Sequence, residues 1–310
     1  MSKKQYFFSF VLAAISFIAA RSLQKAGIAH YYTQKANLFE KEDGYFDVSH
    51  PEHQQYLPMG LQPFSHLSVL DSASFIGIIS DSSALVRYNP ATQEFSSFAN
   101  WGQEALLTQL AYFDSTLVLL DDQNQVHLWS APFDTMSLKT YALDNELLAG
   151  AAMCLHNETK RLFLLQQSHS DEDAFVHGTI YTFNLRQKQV SELPLFQFST
   201  ESIAEFVAEQ QLSNTAEFEF EPIALAVHPK TNEIYMLSSK GQSIAVFSQS
   251  GQLVNFTQLD TRVLSNPCAL AFRPNGNLLI SNGDALRPSV IELKWNKLLQ
   301  SKNSKVIFGR

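Results

Sequence analysis

The sequence lacks most of the motifs by which catalytic sites are recognised. Its 310 residues contain no GxSxG nucleophile elbow, no HExxH zinc motif and no glycine-rich phosphate loop. The only cysteines are Cys154 and Cys268, and neither has a partner at CxxC or metal-ligand spacing, so we expect buried thiols, with a free thiol facing the channel as the alternative for Cys268. No basic cluster offsets the net charge of -8, which argues against a nucleic-acid partner.

Long hydrophobic runs are also absent, except at the N-terminus. Lys3 and Lys4 precede 15 uncharged residues, 6–20, which predict the n-region and h-region of an export signal. A membrane-spanning helix needs about 20 residues, so the run is short for a span. Two alternatives stay open for residues 1–29: a cleaved signal peptide and an uncleaved signal-anchor helix. Residues 30–55 are polar and turn-rich, and are predicted to form a tether.

What the sequence does contain is a repeat built from short strands. Residues 226–238, AVHPKTNEIYMLS, and residues 271–281, AFRPNGNLLIS, each predict a strand, a turn with proline and a second strand ending in serine. Three more copies lie upstream. The five copies share a large apolar anchor residue: Leu67, Leu110, Met153, Leu225 and Leu270.

The spacing of these anchors predicts the architecture. Successive anchors are 43, 43, 72 and 45 residues apart, and a blade of four strands needs about 40–45 residues. The pattern therefore predicts an all-β protein, a five-bladed β-propeller over residues 56–296, followed by a basic tail over residues 297–310.

The long step of 72 residues predicts an insertion. Within residues 201–214, Ile203, Phe206 and Val207 fall on one face of a short helix. If the insertion instead contains two strands, a six-bladed propeller fits the same sequence. The 24 phenylalanines are expected to pack between blades.

Two histidines fall at equivalent points of the repeat. His156 and His228 each precede a turn, which favours a structural role in bonding the turn backbone. The densest polar run, residues 169–177, contains two histidines and three carboxylates. It has the composition of a metal site, but a loop tip between strands is the favoured interpretation. The pair Asp121 and Asp122 is interpreted as a solvated turn.

The order of these segments resembles the bacterial SdiA-regulated family of exported, membrane-tethered propellers, which are distantly similar to NHL-repeat proteins. The resemblance covers about residues 57–295. It is most specific at 220–235, FEPIALAVHPKTNEIY, and at 266–282, NPCALAFRPNGNLLISN. These are similar to the family phrases PSGIAIHPKTGEIY and QPEGIAFDPDGNLYISNE. The resemblance implies five blades, a calcium site, and a location at the bacterial cell membrane with most of the chain on the periplasmic side.

This chain departs from the family where each blade begins. Family blades tend to open with Glu-Gly, but Thr108 and Cys268 stand at two of those glutamate positions. Because first strands line the channel of a propeller, we expect its mouth to have lost most of its carboxylates. The residues predicted to face the channel are Ser65, His66, Asp81, Thr108, Cys268 and Asn282. The residues that could still bind calcium are Asp81, Ser82 and Asn282. We expect this binding to be weak, because calcium prefers six to eight oxygens.

Three hypotheses for function follow. The leading one is an exported, membrane-associated, non-enzymatic propeller that presents a binding surface to an unknown protein or small molecule. The alternative is a calcium-dependent propeller hydrolase, of the lactonase or phosphoesterase type, with a depleted channel site. The third is a diverged copy that keeps only a packing role.

Overall fold

Five antiparallel sheets form the blades of the molecule. The computed structural model describes residues 44–58, 62–79, 82–102, 105–143, 152–169, 176–210, 218–284 and 287–297. The first strand of each sheet contacts the first strand of the next, and the fifth contacts the first, so the inner strands close into a ring. The all-β, five-bladed propeller predicted from the anchor spacing is confirmed, and the six-bladed alternative is not.

The strands before and within the first three blades follow chain order. Strands β1 (Gly44–Phe46) and β2 (His53–Tyr56) come first. Blade 1 comprises β3 (Phe64–Val69), β4 (Phe75–Ile79), β5 (Ala84–Asn89) and β6 (Glu94–Ala99). Blade 2 comprises β7 (Leu107–Phe113), β8 (Thr116–Asp121), β9 (Gln125–Ser130) and β10 (Leu138–Ala142), with a 3-10 helix at Thr135–Ser137. Blade 3 comprises β11 (Ala152–His156), β12 (Arg161–His169), β13 (Val176–Asn184), β14 (Gln189–Val190) and β15 (Phe196–Ser199).

The last two blades differ in where their outer strand comes from. Blade 4 comprises β16 (Pro222–Val227), β17 (Ile234–Ser238), β18 (Ser243–Phe247) and β19 (Leu253–Gln258). Blade 5 comprises β20 (Pro267–Phe272), β21 (Leu278–Asn282) and β22 (Ser289–Leu293), and its outer strand is β2, with His53 opposite Glu292. The first three residues of β2 fall in the range 30–55 that was assigned to a tether, so the propeller includes part of that range. The final strand, β23 (Trp295–Lys297), pairs with β1.

The core consists of five apolar clusters, one between each pair of neighbouring blades. Each cluster contains one of the five anchors, all of them buried: Leu67, Leu110, Met153, Leu225 and Leu270. The residue after each anchor is small, because inner strands approach one another closely near the axis: Ser68, Ala111, Cys154, Ala226 and Ala271. Phe64, Phe163 and Phe247 are fully buried between blades, in agreement with the expected use of phenylalanine.

The insertion between the third and fourth anchors adds to blade 3 and builds no further blade. It contains β15 and the helix α1 (Thr200–Glu209). Ser199 caps the helix, because its side chain accepts a hydrogen bond from the Ser202 N–H. Ile203 and Val207 are fully buried against blades 3 and 4, and Phe206 packs beside them, so the predicted apolar face of the helix is confirmed.

The two histidines at equivalent repeat positions bond their turns. His228 Nδ1 accepts a hydrogen bond from the Thr231 N–H at 3.1 Å, and His156 Nδ1 lies 2.6 Å from Thr159 Oγ1. The predicted structural role of both side chains is therefore observed.

Several sequence predictions fall outside the described residues. They include the N-terminal apolar run, Asp81, and most of the polar run at 169–177. Among the residues that the structure describes, no helix has both the length and the apolar character needed to cross a membrane.

Candidate functional site

The central channel is bounded at one end by the points where the inner strands begin. Four of the five inner strands carry a β-bulge there, and the extra residue is Ser65 in blade 1, Thr108 in blade 2, Ile223 in blade 4 and Cys268 in blade 5. A bulge re-aims the side chain of the inserted residue. Three of the channel candidates, Ser65, Thr108 and Cys268, are therefore brought to equivalent places in the ring.

These bulged side chains bond the propeller's own backbone. The Ser65 hydroxyl donates to the carbonyl of Ile78 at 3.3 Å, and the Thr108 hydroxyl donates to the carbonyl of Leu120 at 3.1 Å. The Cys268 thiol lies 3.4 Å from the carbonyls of Ser281 and Phe64, the second of which belongs to the next blade. Burial raises the pKa of the Cys268 thiol. We conclude that these groups stabilise the start of blades 1, 2 and 5 and that Cys268 is held as an unreactive thiol.

His66 follows the first bulge and is shielded on one side. Its Nδ1 is inaccessible to solvent and has no hydrogen-bond partner among the described residues. Burial lowers the pKa of His66 to about 4, so the ring is neutral at physiological pH. Gln109 holds the same position in blade 2, where its Oε1 accepts a hydrogen bond from the Met153 N–H at 3.1 Å.

Asn282 ends the second strand of blade 5 and is almost fully buried. Its Oδ1 accepts a hydrogen bond from the Asn266 N–H at 2.8 Å. The side-chain oxygen of Asn282, a predicted calcium ligand, therefore accepts a hydrogen bond from the segment that leads into β20. Asp81 lies outside the described residues, and Ser82 donates to the Ile79 carbonyl at 3.4 Å.

The donors described at this end of the channel do not fit calcium. The ion takes six to eight oxygens, several of them carboxylates. Here the hydroxyls of Ser65 and Thr108 donate to carbonyls, and Asn282 is occupied. Within the described ranges, no group of three or more His, Cys, Asp or Glu side chains is placed to hold a metal ion.

The opposite end of the channel opens where the inner strands enter their turns. A cavity of about 290 Å³ lies there, and all five blades contribute to it. We call it the turn-end cavity. It is lined by the anchors, the small residues after them, and the residues one further along the strand: Val69, Tyr112, Leu155, Val227 and Phe272.

These last five residues form an apolar ring. Every one of them is partly exposed, although each packs on the cluster between its own blade and the preceding one. A repeat position that stays apolar in five blades without being buried indicates a surface that is covered by something else. Phe272 also contacts Phe46 of β1, with ring centroids 6.1 Å apart.

Among the described residues that line the turn-end cavity, one carboxylate carries charge, and Arg87 pairs with it at 3.2 Å. Of the residues that line the cavity, only Asp71 is ionisable apart from Tyr112 and the thiol of Cys154. Burial opposes ionisation of Asp71, but hydrogen bonds from Ser74 and Ala73 and the charge of Arg87 outweigh it and lower the pKa of the carboxyl group. Asp71 is therefore ionised and points its oxygens at its own turn.

This site was not predicted from the sequence, because the predicted sites were all built from polar side chains. The signal was present in the alignment of repeats, since the second residue after each anchor is apolar in all five copies. Only the structure shows that these five side chains keep part of their surface open to a common cavity.

A second cavity, of about 480 Å³, lies on blade 1. It is lined by residues of β5 and β6 and by the connection to blade 2, including Trp101 and the exposed Leu106. It gathers side chains from one blade and its connecting loop, whereas the turn-end cavity gathers equivalent side chains from five. The turn-end cavity is therefore the stronger candidate.

Comparison with known proteins shows the fold. No protein-family model and no curated protein sequence matches the chain. The glutaminyl cyclase of Myxococcus xanthus is similar in structure, with a TM-score of 0.51 and 13% identity over 80% of this chain and 97% of that one. A luciferin-regenerating enzyme (TM-score 0.46, 10% identity, 80% and 98% covered) and a streptogramin B lyase (TM-score 0.45, 10% identity, 78% and 98% covered) also match. At 13% identity the likeness to the glutaminyl cyclase carries the β-propeller fold and no activity.

Proposed function

We propose that the protein is an exported, membrane-associated, non-enzymatic β-propeller that binds a small apolar ligand in the turn-end cavity. One observation carries the proposal: the apolar ring of Val69, Tyr112, Leu155, Val227 and Phe272 around that cavity. Ligand pockets are concave, largely apolar and placed where several elements meet, and the axis of a propeller meets all three conditions.

The binding energy would come from covering the ring. Each buried square ångström of apolar surface contributes about 25 cal/mol, and five partly exposed side chains converge on one volume. The walls belong to strands whose neighbours are close-packed, so the cavity is formed before the ligand arrives. A preformed site loses less conformational entropy on binding.

The hydrolase alternative needs groups that the described channel does not supply. Calcium-assisted hydrolysis requires a metal held by carboxylates and a polarised substrate oxygen. The polar side chains at the starts of the inner strands are committed to backbone bonds, and His66 is neutral with one nitrogen shielded. We therefore place the function in binding.

Export and membrane association rest on the sequence. The uncharged run 6–20 follows Lys3 and Lys4, as in an export signal. Fractionation of bacteria that express the full chain tests this part, together with protease treatment of spheroplasts. Recovery of the protein in the soluble cytoplasm, protected from protease, would contradict it without touching the ligand site.

The ligand site is tested with N-phenyl-1-naphthylamine, an uncharged probe that fluoresces in apolar surroundings. Leu155→Glu places a charge in the ring, and we expect at least a tenfold loss of probe affinity. Leu106→Glu is the matched control: Leu106 is exposed and lines the second cavity instead of the turn-end cavity, so the two variants also show which cavity holds the probe. Both variants are checked by their denaturation midpoints.

A milder variant keeps the test decisive if Leu155→Glu fails to fold. Val227→Thr preserves the shape of the side chain and adds one hydroxyl. We expect a threefold or larger loss of probe affinity. If the probe binds both ring variants as it binds the native protein, the turn-end cavity is not the site. Turnover of a lactone or phosphoester that is lost when a channel residue is changed would favour the hydrolase.

A further inference from the structure

The backbone of the inner strands also faces the turn-end cavity. In an antiparallel pair, residues alternate between those that bond the partner strand and those whose N–H and C=O point away from it. The N–H of His228 bonds the Glu233 carbonyl at 2.9 Å, so the preceding residue, Val227, directs its own N–H and C=O away from β17. The free edge of an inner strand is the side that faces the channel.

The same alternation holds in the other blades. The N–H of Arg273 bonds the Asn277 carbonyl at 2.8 Å, so the N–H and C=O of Phe272 point away from β21. The N–H of Leu70 bonds the Ser74 carbonyl at 3.1 Å, and this does the same for Val69. The apolar ring is therefore also a ring of strand-edge amides.

One of these amides is matched by a side chain of the preceding blade. The Tyr112 N–H donates to Ser68 Oγ at 2.9 Å, across the boundary between blades 1 and 2. Ser68 is the small residue that follows the anchor of blade 1 and lines the turn-end cavity. Its hydroxyl satisfies a strand edge that would otherwise face the channel.

The other blades have no oxygen at that position. The residues that follow their anchors are Ala111, Cys154, Ala226 and Ala271. By the repeat, they stand before the edges of Leu155, Val227, Phe272 and Val69 respectively. No side-chain oxygen at this repeat position is therefore placed to bond these four edges, and a ligand oxygen can make there the hydrogen bond that Ser68 makes to Tyr112.

We propose that the ligand of the turn-end cavity is an uncharged apolar amide, whose C=O and N–H bond the strand edges while its apolar body covers the ring. The inference rests on the proposed function, because it names the ligand class of the same cavity. A residue of the ring offers a donor and an acceptor on one edge, and an amide carries the complementary pair, as an added strand does at the edge of a sheet.

Charge argues for an uncharged ligand. Among the described residues, no lysine or arginine lines the cavity, whereas the carboxylate of Asp71 does. An anionic ligand would lose its hydration without gaining a counter-charge. A carboxylate of the same length should therefore bind more weakly than the amide, even though it has more acceptor oxygens.

The first experiment compares three ligands of similar length by displacement of N-phenyl-1-naphthylamine: N-butylhexanamide, butyl hexanoate and sodium decanoate. We expect the amide to displace the probe at a concentration about threefold to tenfold lower than the ester, which lacks the N–H donor. Decanoate should be weaker than both. Equal displacement by amide and ester would overturn the amide inference and leave the proposed binding site standing.

The second experiment supplies the missing oxygen from the protein. Ala226→Ser should place a hydroxyl at the Phe272 N–H, in the geometry that Ser68 has with Tyr112. We expect an affinity for N-butylhexanamide about threefold to tenfold lower, with little change in the affinity for the probe, which has no acceptor oxygen. The control is Ala224→Ser, in the same strand but outside the cavity.

Ser68→Ala is the reciprocal variant. It frees the Tyr112 N–H, and the amide should bind more tightly while the probe is unaffected. If Ala226→Ser weakens amide and probe equally, the hydroxyl has only narrowed the cavity and the inference fails. Failure of the probe to bind the native protein would instead refute the proposed function itself, so the two failures are distinguishable.

Discussion

Asp121 and His127 form a buried pair within blade 2, with Oδ2 of the carboxylate 2.8 Å from Nε2 of the imidazole. Asp121 also accepts hydrogen bonds from the N–H groups of Gln123 and Gln125, and the other nitrogen of His127 lies 2.9 Å from Thr140 Oγ1. One carboxylate thus joins the end of β8, the turn after it and the two outer strands of the blade.

Loss of that carboxylate should be costly. We expect Asp121→Ala to lower the free energy of unfolding by about 3–5 kcal/mol, because the substitution leaves buried donors without a partner. Urea denaturation followed by far-ultraviolet circular dichroism measures the change. Asp122→Ala is the matched control: Asp122 is exposed and its Oδ1 accepts one bond, from the Leu106 N–H at 3.1 Å. Similar midpoints for the two variants would contradict the structural role given to Asp121.

A second prediction concerns the pair that fastens blade 5 to blade 1. Arg273 is buried, its Nε lies 3.0 Å from Glu292 Oε2, and its Nη1 donates to the carbonyl of Ser72 at 3.0 Å. Arg273→Ala removes the partner of the Glu292 carboxylate, whose side chain is only 13% exposed, and we expect a loss of about 3–5 kcal/mol of stability. Thermal and urea denaturation measure it.

The chain offers a pair with an exposed arginine for comparison. Arg262 lies 2.6 Å from Asp260, and its side chain is 84% exposed whereas that of Asp260 is 12% exposed. Exposed ion pairs contribute little to stability, so Arg262→Ala should leave the denaturation midpoint nearly unchanged. If both arginine variants lose the same stability, burial does not distinguish the two pairs and the argument fails.

The third prediction is a pH dependence that belongs to His66. Its pKa is about 4 in the folded protein, against an ordinary value near 6.5. Between these pH values the unfolded chain binds a proton that the folded chain does not, so stability should fall as the pH is lowered through this window. The stability that depends on a neutral His66 is fully present above pH 6.5.

Replacing the imidazole isolates this effect. His66→Gln introduces the residue that blade 2 carries at the same position, Gln109, and it removes the titrating group. We expect a shallower fall in the free energy of unfolding from pH 6.5 to pH 4 than in the native protein. Identical slopes for the two proteins would show that His66 is not protected from protonation.

The fold was predictable from the sequence because a propeller repeats its hydrophobic pattern. The anchors at Leu67 and Leu270 mark positions that face neighbouring blades, and their period counts the blades. The helix α1 was predictable for a similar reason, since Ile203 and Val207 share a helical face. Periodic apolar residues show which side chains are buried, and burial determines both the number of blades and the position of the helix.

The polar sites were less predictable, because a sequence does not show which groups a polar side chain bonds. Asp121 was interpreted as part of a solvated turn, and this was wrong: the carboxylate is 1% exposed and bonds His127. Ser65 and Thr108 were placed at the start of the channel, and the structure directs their hydroxyls to carbonyls made available by the bulges. The bulges leave no mark in the spacing of the anchors.

The pairing of β2 with β22 has a consequence for how the molecule is made. These strands are separated by almost the whole described chain, so β2 is synthesised first among the components of blade 5 and must wait for its partner. Until β22 is synthesised, blades 1 to 4 can form, but the ring of blades stays open and the apolar faces of blades 1 and 4 that pack against blade 5 stay exposed. Closure of the ring therefore depends on β22 pairing with a strand that is made before the first blade.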